Sequence, residues 1–236
     1  MEYMMKRLFT IIAVVLMSVT AAQAQRFGVI GGFTSSYTGI DGKNAIANLK
    51  NVSLWHAGVA YNHEIGPFFA IQPQLMYQMK GANAYQTITE GTYKDAINSF
   101  QSQTGFLELS VGLQAGIDVL VARPYFLFEP FVGYAVYKGK DTFSQVGEKV
   151  ADGSVTNADV NAALNSVKNG LEFGFGVGGG ITLLEHFQVS VQWFMNLGNL
   201  YDGGKIDGAD IADNLKTYYK DFKNYHGIKV TAALFF

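Results

Sequence analysis

Apolar side chains recur at every second position in eight separate stretches of the sequence, and this period of two restricts the fold more than any other feature. Such alternation is typical of β-strands, because successive side chains point to opposite faces of a sheet. The chain also has 27 glycines and 14% aromatic residues, whereas only 15% of its residues are charged. We therefore predict one all-β domain. Its strands are Arg26–Thr38, Ser53–His63, Phe68–Gly81, Gly105–Ile117, Pro124–Tyr137, Leu171–Leu183, Phe187–Leu200 and Tyr225–Phe236.

The connections between these stretches alternate in length. Those after strands two, four and six are short, namely Glu64–Pro67, Asp118–Arg123 and Glu185–His186. Those after strands one, three, five and seven are long and polar, namely Gly39–Val52, Ala82–Thr104, Lys138–Gly170 and Tyr201–Asn224. Outer-membrane barrels have short periplasmic turns and long external loops, whereas a soluble sandwich has no reason to sort its loops in this way. The pattern predicts an eight-stranded antiparallel up-and-down transmembrane β-barrel.

The first 24 residues have the three parts of a secretory signal peptide. Lys6 and Arg7 are basic, Leu8–Met17 is apolar, and Ala22-Gln23-Ala24 is a small-residue cleavage motif. The apolar run is shorter than the about 20 residues that a membrane-spanning helix needs. We expect cleavage near Ala24, export to the cell outer membrane, and a barrel domain over residues 25–236.

Composition excludes several classes of function. The chain has no cysteine, which excludes disulfides, thiolate metal sites, a cysteine nucleophile and a lipid-modified cysteine. The signal peptide carries two basic and one acidic residue, so 15 basic and 18 acidic residues remain after cleavage, a formal charge of −3. This balance does not favour a nucleic-acid partner. We expect neither a cofactor nor a metal ion.

The two faces of the predicted strands differ in polarity. One set of alternate residues carries no charge and is rich in aliphatic and aromatic side chains. The opposite set contains His56, Lys80, Glu108, Glu129, Glu172 and Lys229 together with several glutamines. Moving the register by one residue would turn the lysines toward lipid, where each costs about 2–4 kcal/mol at the bilayer midplane. The uncharged face is therefore predicted to contact lipid and the charged face to line the lumen.

Aromatic residues fall at one level of the predicted strands, at their periplasmic ends. They are Phe27, Tyr61, Phe69, Phe126, Phe187 and Phe236. We interpret them as a membrane-interface girdle, although the same residues could fill a soluble core. Pro73 and Pro130 each remove a hydrogen-bond donor from a sheet without edges, so a bulge or a locally broken bond is expected at both.

The strand pattern resembles the PorT-like outer-membrane β-barrel family of the Bacteroidota over essentially the whole mature chain. The segments Trp55-His56-Ala57-Gly58-Val59 and 71–81, IQPQLMYQMKG, are similar to the family's "HxGV…LQPELLYSxKG" motif. Weaker matches are Leu107-Glu108-Leu109 and residues 130–134. Gln74 stands where the family usually has Glu. The final Phe236 is similar to the terminal aromatic that barrel-insertion machinery recognises.

This resemblance implies an eight-stranded barrel that inserts into the membrane, and it implies no single activity. The matching residues form the barrel rather than a partner surface, so the secretion role associated with one member does not follow. An eight-stranded barrel is filled by side chains or holds one small ligand. The lumen-facing set combines many glycines with Phe106, Phe131 and Phe194, which predicts a filled lumen rather than a wide channel.

The candidate lumen site consists of His56, Lys80, Glu108, Glu129, Glu172 and Lys229. These groups could form a proton path or a ligand site, or a buried network of salt bridges and hydrogen bonds, which buried charges require. Residues 174–180 contain a GxGxxG motif, but a strand rather than a helix is predicted to follow, so we interpret it as small residues in a strand.

An enzyme would need a nucleophile, a base and an orienting group within hydrogen-bond reach. No serine lies in a GxSxG context. His56 belongs to the alternate set of residues that is predicted to face the lumen, whereas His63 and His186 lie near periplasmic turns and His226 lies near the outer rim. Catalytic residues are therefore not expected.

Helical spacing occurs in two of the long loops, at Val160, Ala163, Leu164 and Val167 and at Ile211, Leu215, Tyr218 and Phe222. Short amphipathic helices there could cap the lumen or bind a surface partner. We expect a monomeric, non-catalytic barrel that contacts outer-membrane lipid, meets barrel-insertion machinery during assembly, and has a structural or surface-interaction role through its loops. The alternatives are a narrow transport channel or secretion-system accessory protein and, third, a membrane-embedded lipid-modifying enzyme.

Overall fold

The computed structural model describes residues 25–40, 45–88, 99–139, 142–144, 162–163, 165–202, 205 and 222–236. Within these ranges, no helix is both long and apolar enough to span a membrane. The predicted signal peptide lies outside them. The strands are β1 Gln25–Ile40, β2 Ala45–Ile65, β3 Phe69–Ile88, β4 Ser99–Gly116, β5 Ala122–Lys138, β6 Thr142–Ser144, β7 Leu171–Leu183, β8 Phe187–Asn196 and β9 Phe222–Phe235.

Eight of the strands form one closed antiparallel barrel. Each of these strands pairs with its neighbours along the chain, β5 pairs directly with β7, and β1 pairs with β9 to close the sheet. Closure gives each of these eight strands two partners, which a strand-built domain in lipid requires because no water is available for unpaired backbone groups. The predicted fold class is confirmed.

The two ends of the barrel differ as the connection lengths predict. Residues 66–68, 117–121 and 184–186 form tight connections at one end, which we call the turn end. The long connections leave from the opposite end, the loop end. Gly66 at the turn end has a φ of +66°, a conformation that glycine adopts without the steric penalty of a side chain.

The strands reach further at the loop end than the sequence predicts. β2, β3 and β4 extend into segments predicted as loops, where Ala45–Asn51 pairs with residues 82–88 and β6 pairs with the start of β4. These extensions have no continuous contrast between an apolar and a polar face, so they lack the sequence signal used for the other strands. β8, in contrast, ends at Asn196 rather than Leu200.

The two prolines interrupt the sheet locally. Among the described strand residues, two consecutive pairs are missing from the β2–β3 ladder beside Pro73 and two from the β4–β5 ladder beside Pro130. The register is the same on both sides of each gap. Of the two expected outcomes, a local break is therefore correct and a bulge is not. Register shifts occur instead near the loop end, as between Gly105 and Phe106.

Burial alternates along the strands and separates the two faces. In β5, every second residue from Arg123 to Ala135 is buried and the residues between them are exposed. The exposed face of the barrel is apolar and includes Phe33, Trp55 and Leu109. The buried face is largely polar and points into the lumen. This is the arrangement of a transmembrane barrel.

Part of one predicted loop helix lies within the described residues. Residues 162–163 and 165–167 are helical, and Val167 is buried. The second predicted helix, from Ile211 to Phe222, lies almost entirely outside the described residues.

Candidate functional site

Five charged side chains from five strands meet near the middle of the lumen, and we call them the central cluster. They are Lys80 from β3, Glu108 from β4, Glu129 from β5, Glu172 from β7 and Lys229 from β9, and all five are buried. Two ammonium groups thus face three carboxylates. Burying unpaired charge is costly, so the contacts of each group decide whether the arrangement is stable.

Lys80 lies at the centre of the first half of this cluster. Its Nζ is 2.8 Å from Glu108 Oε2 and 3.0 Å from both carboxylate oxygens of Glu172. It also donates to Asn196 Oδ1 at 3.2 Å. The ammonium lies over the aromatic rings of Phe131, Phe194 and Phe106, at 4.4, 5.0 and 5.4 Å from their centroids. Carboxylate and aromatic partners together replace the water that this cation has lost.

Lys229 and Glu129 form the second half. Their Nζ and Oε1 atoms are 2.5 Å apart. Gln74 Nε2 donates to Glu129 Oε2 at 2.8 Å and Gln192 Nε2 donates to Glu129 Oε1 at 3.0 Å. Lys229 Nζ is also 3.9 Å from Glu108 Oε1, which joins the two halves into one network.

Inward-facing glycines provide the space for these long side chains. Gly133 pairs with Glu108 on one side and with Glu172 on the other. A Cβ atom on Gly133 would lie 2.6 Å from Glu172 Oε1, so the missing side chain lets Glu172 lie across β5 toward Lys80. Gly174 and Gly176 of the GxGxxG motif have a similar role in β7, because added Cβ atoms would lie 2.7 Å from Phe131 Cζ and 3.0 Å from the Gln192 amide. β7 remains a strand through Leu183. The motif is therefore not a phosphate-binding turn between a strand and a helix.

His56 is buried beside the cluster and is positioned by two hydroxyl groups. Its Nδ1 is 3.0 Å from Thr34 Oγ1 and its Nε2 is 3.0 Å from Thr231 Oγ1. Both ring nitrogens thus contact neutral groups rather than a carboxylate. Gln78 bridges toward the cluster, because in the amide orientation that its neighbours favour its nitrogen donates to Glu108 Oε1 at 3.0 Å.

A second polar layer closes the lumen toward the loop end. Tyr225 is fully buried, and its hydroxyl is 2.7 Å from Ser102 Oγ and 3.1 Å from Thr104 Oγ1. Lys168, from the connection before β7, donates to Ser102 Oγ at 2.9 Å. Around it, the backbones of segments 167–169 and 200–202 are joined by hydrogen bonds, so two long connections meet over the barrel mouth.

A third layer lies toward the turn end. Gln114 Nε2 donates to Gln72 Oε1 at 2.7 Å, and Arg123 donates to Gln114 Oε1 at 3.3 Å. Arg123 is buried, and its Nε is 3.5 Å from Oδ1 of the exposed Asp118. The lumen is thus occupied by polar contacts at three successive levels.

The described residues contain no group of three or more His, Asp or Glu side chains arranged to hold a metal ion. The other histidines are dispersed, since His226 packs edge-on against Tyr37, His63 stacks near Tyr61, and His186 Nδ1 is 2.7 Å from the Leu184 carbonyl oxygen. What the arrangement can do is hold the eight strands together from within.

Several lumen residues lie outside the candidate site that the sequence predicts. Asn196 and Gln192 contact the cluster, Tyr225 organises the layer at the loop end, and Lys168 reaches it from a long connection. The alternation of the strands had already placed Asn196 and Gln192 on the inner face of the barrel, where both are buried. No comparable signal existed for Lys168, because it lies outside the alternating stretches.

Comparison with known proteins gives one matching family model and several similar solved structures. A family model described as "Outer membrane protein beta-barrel domain" matches residues 21–202. Comparison with curated proteins gave no match. Among solved structures, the chain is similar to Ail, the attachment invasion locus protein of Yersinia pestis, with 13% identity, coverage of 91% of this chain and 99% of that chain, and a TM-score of 0.38.

Two further solved structures are similar at the same level. Neisserial surface protein A has 10% identity, with 89% of this chain and 95% of that chain covered and a TM-score of 0.39. OprG from Pseudomonas aeruginosa has 11% identity, with 90% and 93% covered and a TM-score of 0.36. The family match spans well over half of the sequence and agrees with the closed barrel of eight strands. The chain therefore belongs to the outer membrane protein beta-barrel domain family.

Proposed function

We propose that this protein is a monomeric, non-catalytic and non-conducting outer-membrane barrel with a structural or surface-interaction role, carried by its external connections. The observation that supports this proposal is the filled lumen. Lys80 is in contact with two carboxylates and three aromatic rings at the centre of the barrel. A transported solute would have to displace these groups.

Buried charge in a membrane protein often marks a transport path, so the alternative is a narrow channel. The pairing of the buried lysines with carboxylates argues against a narrow channel in this barrel. Each of the two cluster lysines contacts carboxylates within 3.0 Å, and neither is exposed to solvent by more than 3%. A permeating ion would have to separate these buried pairs, which is costly because each partner would be left as an uncompensated charge.

Because the lumen is filled, the connections at the loop end supply the surface on which a partner could bind. Leu200 and Tyr201 are buried where the two connections meet, together with Val167. This packing supports a capping role for these segments, because their inner face covers the lumen and leaves their outer face toward the cell exterior.

Planar-bilayer recording tests the non-conducting role. Purified barrel, folded and checked by heat-dependent gel mobility, is expected to give no stable conductance above the bare bilayer, while a wide-lumen porin in the same preparation gives defined steps. A reproducible single-channel conductance from this protein would overturn the proposal in favour of the narrow channel.

The interaction role needs a separate experiment on intact outer membranes. Cross-linked species formed by the wild-type protein are expected to disappear when the connection between Lys138 and Gly170 is shortened, while the barrel keeps its heat-dependent mobility. Cross-links that persist unchanged after shortening this and the other three long connections would exclude a role carried by the loops.

We further propose that the barrel is PorT-like, because the segment that matches the PorT-like motif lines the lumen. Gln72, Gln74, Met76, Gln78 and Lys80 of the matching segment all face the lumen and are buried. The motif thus encodes one wall of the polar interior. Because these residues pack within the barrel, the motif accounts for the fold, and we do not extend the proposal to a secretion activity.

A further inference from the structure

The tight connection between β4 and β5 has an unusual surface for a turn. Of its residues 117–121, all but Asp118 are aliphatic. Leu120 is completely exposed, at 101% of its reference area, and Ile117, Val119 and Val121 are each more than half exposed. Turns that face water are usually built from glycine and small polar residues. We call residues 117–121 the apolar turn.

The backbone of the apolar turn is also unusual, because a leucine has a positive φ angle there. Leu120 has a φ of +54°, and Leu184 in the neighbouring β7–β8 turn has a φ of +50°. Glycine, asparagine or aspartate would relieve the steric conflict at such a position. Leu184 is also 60% exposed, and its backbone nitrogen donates to Val121 O at 2.8 Å. Two adjacent turns thus each contain an exposed leucine with a backbone conformation that is unfavourable for this residue type.

The single charged residue of the apolar turn, Asp118, lies toward Arg123 and the lumen. Asp118 Oδ1 is 3.5 Å from Nε of Arg123, whose side chain is buried in the lumen. The turn therefore has a charged side toward the lumen mouth and an aliphatic side toward the outside of the barrel.

The aliphatic side continues a surface that already contacts lipid. Leu107, Leu109 and Leu113 on the outer face of β4 are exposed, and Ile117 continues the same alternation into the turn. Lipid contact also requires backbone groups to be paired within the protein. In the turn, Val119 and Ala122 exchange two hydrogen bonds at 2.8 and 2.9 Å, and Ile117 N donates to Pro124 O at 3.1 Å.

We propose that the apolar turn, together with Leu184, is a lipid-binding surface immersed in the periplasmic leaflet of the outer membrane. Its occupant is phospholipid. Next to Leu184 in the β7–β8 turn, Glu185 forms an ion pair with Arg26 of β1, so the boundary between lipid and water passes between Leu184 and Glu185. The barrel is therefore anchored more deeply on its β4–β5 side than on its β1 side.

Site-directed spin labelling tests the proposal directly, since the chain has no native cysteine to compete for the label. Leu120→Cys is labelled with a nitroxide and the folded protein is placed in phospholipid vesicles. Glu185→Cys is the matched control, because Glu185 is also an exposed turn residue with a positive φ, of 63°. Leu109→Cys on the lipid-facing surface supplies the membrane reference.

The label at Leu120 is expected to be several-fold less accessible to a water-soluble nickel chelate than the label at Glu185, and its oxygen accessibility should approach that of Leu109. A second label at Leu184→Cys should behave like the one at Leu120. Chelate accessibility at Leu120 and Leu184 equal to that at Glu185 would overturn the proposal. It would leave the exposed leucines as a docking surface for a periplasmic protein instead.

Discussion

Lys80 Nζ lies 2.8 Å from Glu108 Oε2 in a site where the exposed fractions of the two side chains are 0% and 1%. The contact joins adjacent strands β3 and β4 through their side chains, in addition to their backbone ladder. Glu172 then connects the same ammonium to β7, which is not adjacent to either strand. The ion pairs therefore cross the interior of the barrel as well as following its wall.

Replacing Lys80 with Met is expected to lower the free energy of unfolding by about 3–5 kcal/mol, because Glu108 and Glu172 would remain buried without their cation. Urea unfolding in vesicles, followed by tryptophan fluorescence, measures this change. Lys205→Met is the control, since Lys205 is an exposed lysine 3.3 Å from Asp202. Its loss should cost less than about 1 kcal/mol. Equal effects of the two substitutions would contradict a special role for the buried pair.

A compensating variant separates charge pairing from packing. Adding Glu108→Gln and Glu172→Gln to Lys80→Met removes the unpaired carboxylates while keeping side chains of nearly the same size. We expect this triple variant to recover much of the stability lost in the single one, measured by the same unfolding transition. If the triple variant is no more stable than Lys80→Met alone, the lysine acts through its packing against the aromatic rings.

Gln74→Glu tests the role of the glutamine that stands where the motif resembled by this segment usually has glutamate. Gln74 Nε2 donates to Glu129 Oε2 at 2.8 Å, so a glutamate would remove the donor and place two carboxylates side by side. We expect a loss of at least about 1.5–3 kcal/mol in the free energy of unfolding. Gln114→Glu is the matched control in the same lumen. Its carboxylate would lose the present hydrogen bond to Gln72 Oε1, but the Gln72 amide can turn its nitrogen toward it and Arg123 lies 3.3 Å from the present amide oxygen, so this glutamate should be tolerated.

Sequence reasoning reached the barrel because two independent patterns agree. Alternation gives the face of each residue, and the sorting of short and long connections gives the membrane orientation. Both signals depend on contrast between lipid, lumen and water. The loop-end extensions of β2, β3 and β4 lie where that contrast ends, and the sequence pattern accordingly did not separate them from loop.

The contacts within the lumen were beyond this reasoning for a geometric reason. The alternation of residues along each strand places Lys80 and Glu172 on the inner face, but the two residues are 92 positions apart in the chain. Which inward residues meet depends on strand tilt and stagger, and on gaps such as the one at Gly133. The alternation could therefore predict which residues line the lumen. It could not predict that Lys80 pairs with Glu172 and that Glu129 pairs with Lys229.

Gly178→Ala tests whether the small residues of β7 are required for closure of the barrel. A Cβ atom at Gly178 would lie 2.1 Å from the backbone oxygen of Val191 and 2.5 Å from Cα of Gln192, so the β7–β8 ladder would have to move. We expect a loss of about 1–3 kcal/mol or more, as in other overpacked interiors. The fraction of protein with heat-dependent gel mobility after refolding reports the loss. Gly31→Ala is the control, because its added Cβ would meet only the His56 carbonyl oxygen, at an ordinary 3.6 Å. Similar refolding of the two variants would show that β7 can shift to accept side chains, and that its glycines are not required by the packing of the lumen.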